Sequence, residues 1–284
     1  MYLDHFGLAE YPFSITPDTD FVYRAQHHQA AMNVVLVALQ GNEGFVKITG
    51  EIGTGKTLMC RHLLACLPDD VVSAYVLNPR LAPRELLRTV GVELGLQLKR
   101  GTDEHSLCKQ LEAELLHLAA ADKRVVLCID EAQALPVESL EALRLLSNLE
   151  TGKRKLIQIV LFGQPELDEM LQARRIRSLA SRIAFSARLG SLDRGDFANY
   201  LQHRMTVAGW RGPAVFTPVA RWLLWRASRG IPRLANMLAH KSLMLAYGSG
   251  NHRVGMREAY AATCDETGVQ PARRRLARTL GART

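Results

Sequence analysis

The chain's most chemically loaded segment is Gly50-Glu51-Ile52-Gly53-Thr54-Gly55-Lys56-Thr57. Its G-x-x-x-x-G-K-T spacing is that of a phosphate-binding loop. Gly50, Gly53 and Gly55 free the backbone for turns that a Cβ would obstruct, so successive N–H groups can converge on phosphate oxygens. Lys56 brings a point charge to a β- or γ-phosphate, and the Thr57 hydroxyl is a ligand for Mg²⁺. Leu58 carries the segment into a helix whose positive dipole end favours an anion. The segment from Gly50 to Leu58 is therefore expected to hold a nucleoside triphosphate with Mg²⁺.

A second cluster follows the apolar run Val125–Ile129, which ends in Asp130 and Glu131. In nucleotide hydrolases the first such carboxylate holds Mg²⁺, so Thr57 and Asp130 are the expected metal ligands. The second carboxylate polarises the attacking water, the role expected of Glu131. Gln133, beside them, is read as having no catalytic part. Gln164 follows another apolar run, Leu156–Phe162. At the end of a central parallel strand it would face the ligand crevice and touch the γ-phosphate or the water.

Two arginine sites add to the list. Gly230-Ile231-Pro232-Arg233 opens a helix, with Pro232 at a permitted first-turn position and Arg233 placed to fold back onto phosphates. Arg174, Arg175, Arg177 and Arg182 precede the last strand. One of them is a candidate arginine finger for a neighbouring subunit, because a cation stabilises the charge of phosphoryl transfer. Arg182 is the first choice and Arg177 the second. His27 and His28 have no third ligand at metal-like spacing, so they are read as surface or nucleotide-pocket residues. Trp222 and Trp225, three apart, read as core packing rather than a base-stacking platform.

The elements that must position these residues alternate. Five short apolar or β-branched runs are read as strands: Phe45–Thr49, Val71–Leu77, Val125–Ile129, Leu156–Phe162 and Ile183–Ser186. Helical patterns lie between them at Pro83–Leu94, Ser106–Ala121 and Val137–Leu149, and before them at 26–40. Alternation of this kind predicts right-handed βαβ units and a five-stranded parallel sheet flanked by helices, an α/β fold of the P-loop NTPase type. From about Leu192 only helices are expected, at 193–207, Pro218–Arg229, Pro232–Tyr247 and 256–266. The expected domains are thus 1–191, α/β with its N-terminal segment; 192–269, a helical lid; and 270–284, a basic disordered tail.

Composition bounds the rest. Of 284 residues 48% are hydrophobic and 23% charged, as in an ordinary globular protein. No apolar run reaches the ~20 residues that span a bilayer, and the opening residues lack the basic and apolar regions of a signal peptide. Five scattered cysteines without a C-x-x-C, mostly in apolar context, suggest reduced, buried thiols in the cytosol. The net charge is +8, and five arginines beyond residue 270 with no acid supply +5 of it. Such a tail suits nucleic acid, an anionic membrane face, or plain solvation.

Together these motifs resemble the AAA+ ATPases, and more narrowly the ExeA/GspA-like secretion ATPases and the MshM type of mannose-sensitive haemagglutinin (MSHA) pilus biogenesis. The resemblance runs from His5-Phe6-Gly7-Leu8, Pro12-Phe13 and Thr16-Pro17-Asp18 through the phosphate loop and Ile129-Asp130-Glu131-Ala132-Gln133. It continues through Leu143-Arg144-Leu145-Leu146-Ser147-Asn148-Leu149-Glu150-Thr151, Val160-Leu161-Phe162-Gly163-Gln164-Pro165-Glu166-Leu167 and Gly230-Ile231-Pro232-Arg233. It implies that Lys56 and Thr57 belong to Walker A and that Asp130 and Glu131 belong to Walker B. Gln164 would be sensor 1 and Arg233 sensor 2, and the Pro12–Asp18 segment would lie near the base. It also implies a nucleotide between the α/β domain and the lid, and oligomers with sites at subunit interfaces.

The larger secretion members carry a membrane span and a peptidoglycan-binding domain after the ATPase, which this sequence lacks; the compact pilus-biogenesis type is therefore expected. The expected function is a cytoplasmic ATPase, peripheral at the inner membrane. It would self-associate and act on an inner-membrane protein in assembling a type IV (MSHA-like) pilus or a type II secretion apparatus. The alternative is a DNA-binding AAA+ transposition regulator of the TniB/TnsC-like type, whose DNA contact the basic balance would serve. No helix-turn-helix or zinc motif backs that alternative.

Overall fold

The computed structural model describes residues 2–265 except 17, 18, 24, 78, 100 and 153. Pro17, Asp18 and the arginine tail therefore lie outside the described residues. In chain order the helices are α1 (Tyr2–Phe6), α2 (Gln26–Gln40), α3 (Lys56–Cys66), α4 (Pro83–Glu93), α5 (Glu104–Ala120), α6 (Val137–Leu146), α7 (Glu166–Gln172) and α8 (Arg177–Ala180). They are followed by α9 (Arg194–Val207), α10 (Pro218–Ser228), α11 (Pro232–Gly248) and α12 (Met256–Cys264). The strands are β1 (Phe45–Gly50), β2 (Val71–Val76), β3 (Arg124–Ile129), β4 (Gln158–Gly163) and β5 (Ile183–Leu189).

By contact the chain forms two units. The α/β unit comprises Gln26–Ile52 and Lys56–Gly190. Its five strands run parallel in the order β2-β3-β4-β1-β5. Parallel strands covered on both faces read as continuous apolar runs, and β4 is buried at all six positions. Alternate residues face opposite layers. Val46, Ile48, Val126, Cys128, Val160 and Phe162 share a core with Val35 of α2 and Leu63 of α3. Leu127, Ile129, Ile159 and Leu161 share the other with Leu86 of α4, Leu111 of α5 and Leu143 of α6.

Three of the five strands, β1 to β3, lie within one residue of their expected bounds at each end; β4 and β5 differ more. The stretch Leu156–Ile157 is buried but not strand, because the Leu156 N–H donates back to Leu149 O at 3.0 Å. β5 runs three residues beyond expectation, to Leu189, paired with Gly50. The helix expected over Val137–Leu149 ends at Leu146, where the Ser147 hydroxyl donates to Arg144 O at 2.8 Å and turns the chain.

Among the described residues the helical unit comprises 2–25, Gly53–Gly55 and 191–265. Here the structure departs from the expected boundary, which put residues 1–25 with the sheet. Tyr2, Phe6, Leu8, Phe13 and Phe21 are buried with Phe197, Leu201, Leu238 and Leu243 of α9 and α11. The anchor is Arg204, 5% exposed. Its Nε donates to Pro12 O at 2.5 Å, its Nη2 to Ser14 O at 3.3 Å and its Nη1 to the Tyr200 hydroxyl at 3.2 Å. The guanidinium lies 4.7 Å from the Phe21 ring centroid. Carbonyls and an aromatic face thus replace the water that a buried cation loses.

Side-chain caps open three helices: Asp103 accepts from Ser106 N–H at 3.0 Å, Asp193 from Asp196 N–H at 2.7 Å and Thr217 from Ala220 N–H at 3.3 Å. Two expectations about individual side chains fail. Cys60 and Cys128 are buried, but Cys66, Cys108 and Cys264 are exposed on outward helix faces. Trp225 is half-buried, with Nε1 donating to Leu192 O at 3.1 Å, whereas Trp222 is exposed beneath the Arg226 guanidinium. Among the described residues no helix is long and apolar enough to cross a membrane.

Candidate active site

β1 delivers the chain to Gly50, and α3 takes it up at Lys56, so the phosphate loop is the turn between them. Gly53 and Gly55 adopt φ of 83° and 100°, a region open to glycine at little cost. Lys56 is 5% exposed, and its Nζ donates to Gly50 O at 2.7 Å and Glu51 O at 3.0 Å. Burial pulls the ammonium below its ordinary pKa, while Glu131, Asp130 and Glu51 pull in the opposite direction. The loop thus holds its cation on carbonyls that phosphate oxygens can replace.

The strand order brings the other groups to this loop. β4 lies between β1 and β3, so the ends of all three meet at one edge of the sheet. In such sheets ligands bind at that carboxyl edge. The Thr57 hydroxyl donates to Asp130 Oδ2 at 2.7 Å, and Asp130 Oδ1 accepts the Glu131 N–H at 2.9 Å. Asp130 is 1% exposed, and burial raises its pKa despite both hydrogen bonds. Hydroxyl and carboxylate are hard oxygen donors, the kind Mg²⁺ takes beside phosphate oxygens, so the expected pair fits that ion.

Glu131 adopts φ 51° and ψ 39°, a left-handed conformation uncommon for a side chain with a Cβ. Strain of this kind gathers at functional sites. Its carboxylate Oε2 accepts from Gln164 Nε2 at 2.9 Å and from Gln133 Nε2 at 2.5 Å. Burial pushes the Glu131 pKa up, but the Gln164 and Gln133 amides and the Lys56 charge outweigh it and hold the carboxyl below its ordinary value. The anion is therefore the resting form.

Gln133 is the residue that sequence reasoning set aside. It also accepts the Gln164 N–H on its Oε1 at 2.9 Å. Its place two residues past the acid pair was the available signal; the turn that folds it back was not readable. The structure does bring Gln164 to Glu131.

Arg233 sits in the helical unit, where its N–H donates to Gly53 O at 3.2 Å. A Cβ on Gly53 would lie 2.7 Å from the Arg233 Cβ, so the loop's glycine leaves room for the α11 N-terminus. Arg182 lies elsewhere. It precedes Ile183, which pairs with Phe45 at the start of β1, so it sits a strand's length from Lys56 at the opposite sheet edge. It is exposed and donates to Asn148 Oδ1. Arg174, Arg175 and Arg177 are exposed as well. Phe13 is buried edge-to-face against Phe216, and His27 and His28 open α2 with ring centroids 4.4 Å apart.

The AAA domain family matches residues 39–171. General secretion pathway protein A of Aeromonas hydrophila is 41% identical over 270 residues, covering 95% of this chain and 49% of that protein. The chain thus spans about half the length of the curated relative it matches. Among solved structures, Cdc6p from Pyrobaculum aerophilum aligns with TM-score 0.69 at 16% identity, covering 88% of this chain and 69% of that one. The Aeropyrum pernix ORC2 protein in its ADPNP–ADP complexes aligns with TM-score 0.65 at 17% identity, covering 95% and 75%. At these identities the likeness is one of fold: a P-loop NTPase fold of the AAA type.

Proposed function

Taking as premise an AAA-fold chain related to General secretion pathway protein A, we propose that it binds and hydrolyses ATP. We place that activity in support of type II secretion or of a type IV, MSHA-like pilus. The observation that carries this reading is the meeting of Thr57, Asp130 and Glu131 beside a loop that buries Lys56.

In this reading Lys56 exchanges its two carbonyl partners for phosphate oxygens, and the loop N–H groups from Gly53 to Leu58 take the rest. Thr57 and Asp130 would hold Mg²⁺, which would supply charge neutralisation at the phosphates. Glu131, kept ionised by its amide donors, polarises a water, and Gln164 reports on the γ-phosphate. Arg233, whose backbone already bonds Gly53, carries the state of the loop to α11 as a second sensor. Subunits self-associate, and Arg182, or failing it Arg177, completes a neighbour's site; exposure at the far sheet edge suits a group that serves another chain. The protein works in the cytoplasm, peripheral at the inner membrane, and passes its motion to an inner-membrane assembly protein.

The test is the ATPase rate across a protein-concentration series, with and without duplex DNA, at low and physiological salt. The expected result is specific activity that rises with protein concentration and ignores DNA. Strong stimulation by DNA at physiological salt would replace this reading with a transposition-type regulator. No turnover at any concentration would overturn the enzymatic assignment.

A further inference from the structure

We propose that Gln133 is a positioning residue that locks the Glu131 carboxylate to the end of β4. The inference rests on the reading of Glu131 as the group that polarises water.

Glu131 and Gln133 flank Ala132, the first residue of the short 3-10 turn Ala132–Ala134. The left-handed backbone at Glu131 reverses the chain as it leaves β3, and the two side chains meet. Gln133 then uses both ends of its amide. Its NH₂ donates to Glu131 Oε2 at 2.5 Å, and its carbonyl accepts the Gln164 N–H at 2.9 Å. Gln164 closes the ring by donating its own amide to the same Oε2 at 2.9 Å. Three residues from the ends of two strands are thereby joined in a cycle of three hydrogen bonds.

The orientation of Gln133 follows from its partners. Turned over, its carbonyl would face a carboxylate and its NH₂ would face an N–H group, opposing like with like at both ends. Its space is also kept clear: a Cβ at Gly163 would lie 3.3 Å from Gln133 Oε1 and 2.7 Å from Leu167 Cδ2. Both donors fall on Oε2, which leaves Oε1 of Glu131 as the acceptor for a water. A simple loop amide would satisfy backbone groups and leave the carboxylate free to rotate. Here the carboxylate rotates only if two bonds break together. The carboxylate and the Gln164 side chain therefore shift as one body, tied through the β4 terminus.

The test compares the full chain with Gln133→Met, which keeps side-chain length and removes both hydrogen bonds, and with Gln133→Glu, which keeps the acceptor for Gln164 but turns the donor into a charge. The first readout needs no turnover: hydrogen exchange of the Gln164 backbone N–H, whose acceptor is Gln133 Oε1. Its protection is expected to fall in Gln133→Met and to persist in Gln133→Glu. The second readout is the split between kcat and ATP affinity: kcat should fall roughly tenfold to a hundredfold in both variants, with the Kd for ATP unchanged. Gln164 exchange identical in all three proteins overturns the inference even if the ATPase is active. Exchange that separates the variants as expected while no protein turns over ATP upholds the lock and overturns the ATPase reading instead.

Discussion

Thr57 Oγ1 donates to Asp130 Oδ2 at 2.7 Å, joining the first turn of α3 to the end of β3 across 73 positions of chain. The bond crosses the strand between them, since β4 separates β1 from β3. It holds a hydroxyl and a carboxylate where a single cation can take both oxygens. It leaves Asp130 buried, with hydrogen bonds from Thr57 and Glu131 and the Lys56 charge to offset part of the loss of water.

That burial sets a stability–pH relation. Burial raises the folded-state pKa of Asp130 above its unfolded value. The group's favourable contribution is then fully present below the ordinary aspartate range and is lost as pH rises through the raised value. At neutral pH without divalent cation the ionised Asp130 opposes folding, and Asp130→Asn is expected to melt at a higher temperature than wild type. Thermal melts in chelator at pH 7 check this, and an equal or lower melting temperature for Asp130→Asn would sink the argument.

Lys56→Ala removes the cation held on Gly50 O and Glu51 O. A charge-assisted hydrogen bond is worth about 1.5–3 kcal/mol, so nucleotide affinity should fall by roughly a hundredfold or to nothing measurable. Calorimetric titration with an ATP analogue measures the loss. The sheet needs no ammonium for its packing, so the variant should remain folded by circular dichroism.

Glu131→Gln keeps the shape of the side chain and removes its negative charge. ATP should still bind, while the turnover number falls by about two to four orders of magnitude. Single-turnover hydrolysis with prebound ATP separates the two effects. Turnover comparable to wild type would remove Glu131 from its assigned role.

Two glycines of the helical unit offer a paired stability test. Gly230 has φ 72°, and a Cβ there would lie 2.2 Å from Leu192 O. Gly7 has φ 62° with nothing within 4 Å of the added carbon. Gly7→Ala should cost only the left-handed conformation, about 1–2 kcal/mol. Gly230→Ala adds a collision with backbone that already bonds it, Leu192 N–H to Gly230 O at 2.8 Å, and should cost about 3 kcal/mol or more. Urea denaturation of the two variants ranks them.

What the sequence determined by itself is the contiguous chemistry. Strand, glycine loop and helix from Phe45 to Cys66 are neighbours along the chain, and a phosphate cradle is a local object made of backbone N–H groups and one lysine. The same holds for the apolar runs of the central strands β3 and β4, because a parallel strand covered on both faces reads as a continuous apolar run. Helix starts at Pro83, Pro218 and Pro232 were equally legible, since Pro fits a first turn wherever it occurs.

Tertiary structure alone decided which distant groups meet. The order β3-β4-β1 set Gln164 against Glu131, and a left-handed turn returned Gln133 to both. Residues 1–25 were expected with the sheet, but Tyr2, Phe6 and Phe13 are buried in the helical unit, where Arg204 and its carbonyl partners tie the segment to α9. Periodicity and turn chemistry report on residues a few positions apart. The choice between two available cores, or between a free amide and a bonded one, depends on which buried polar groups find partners far along the chain.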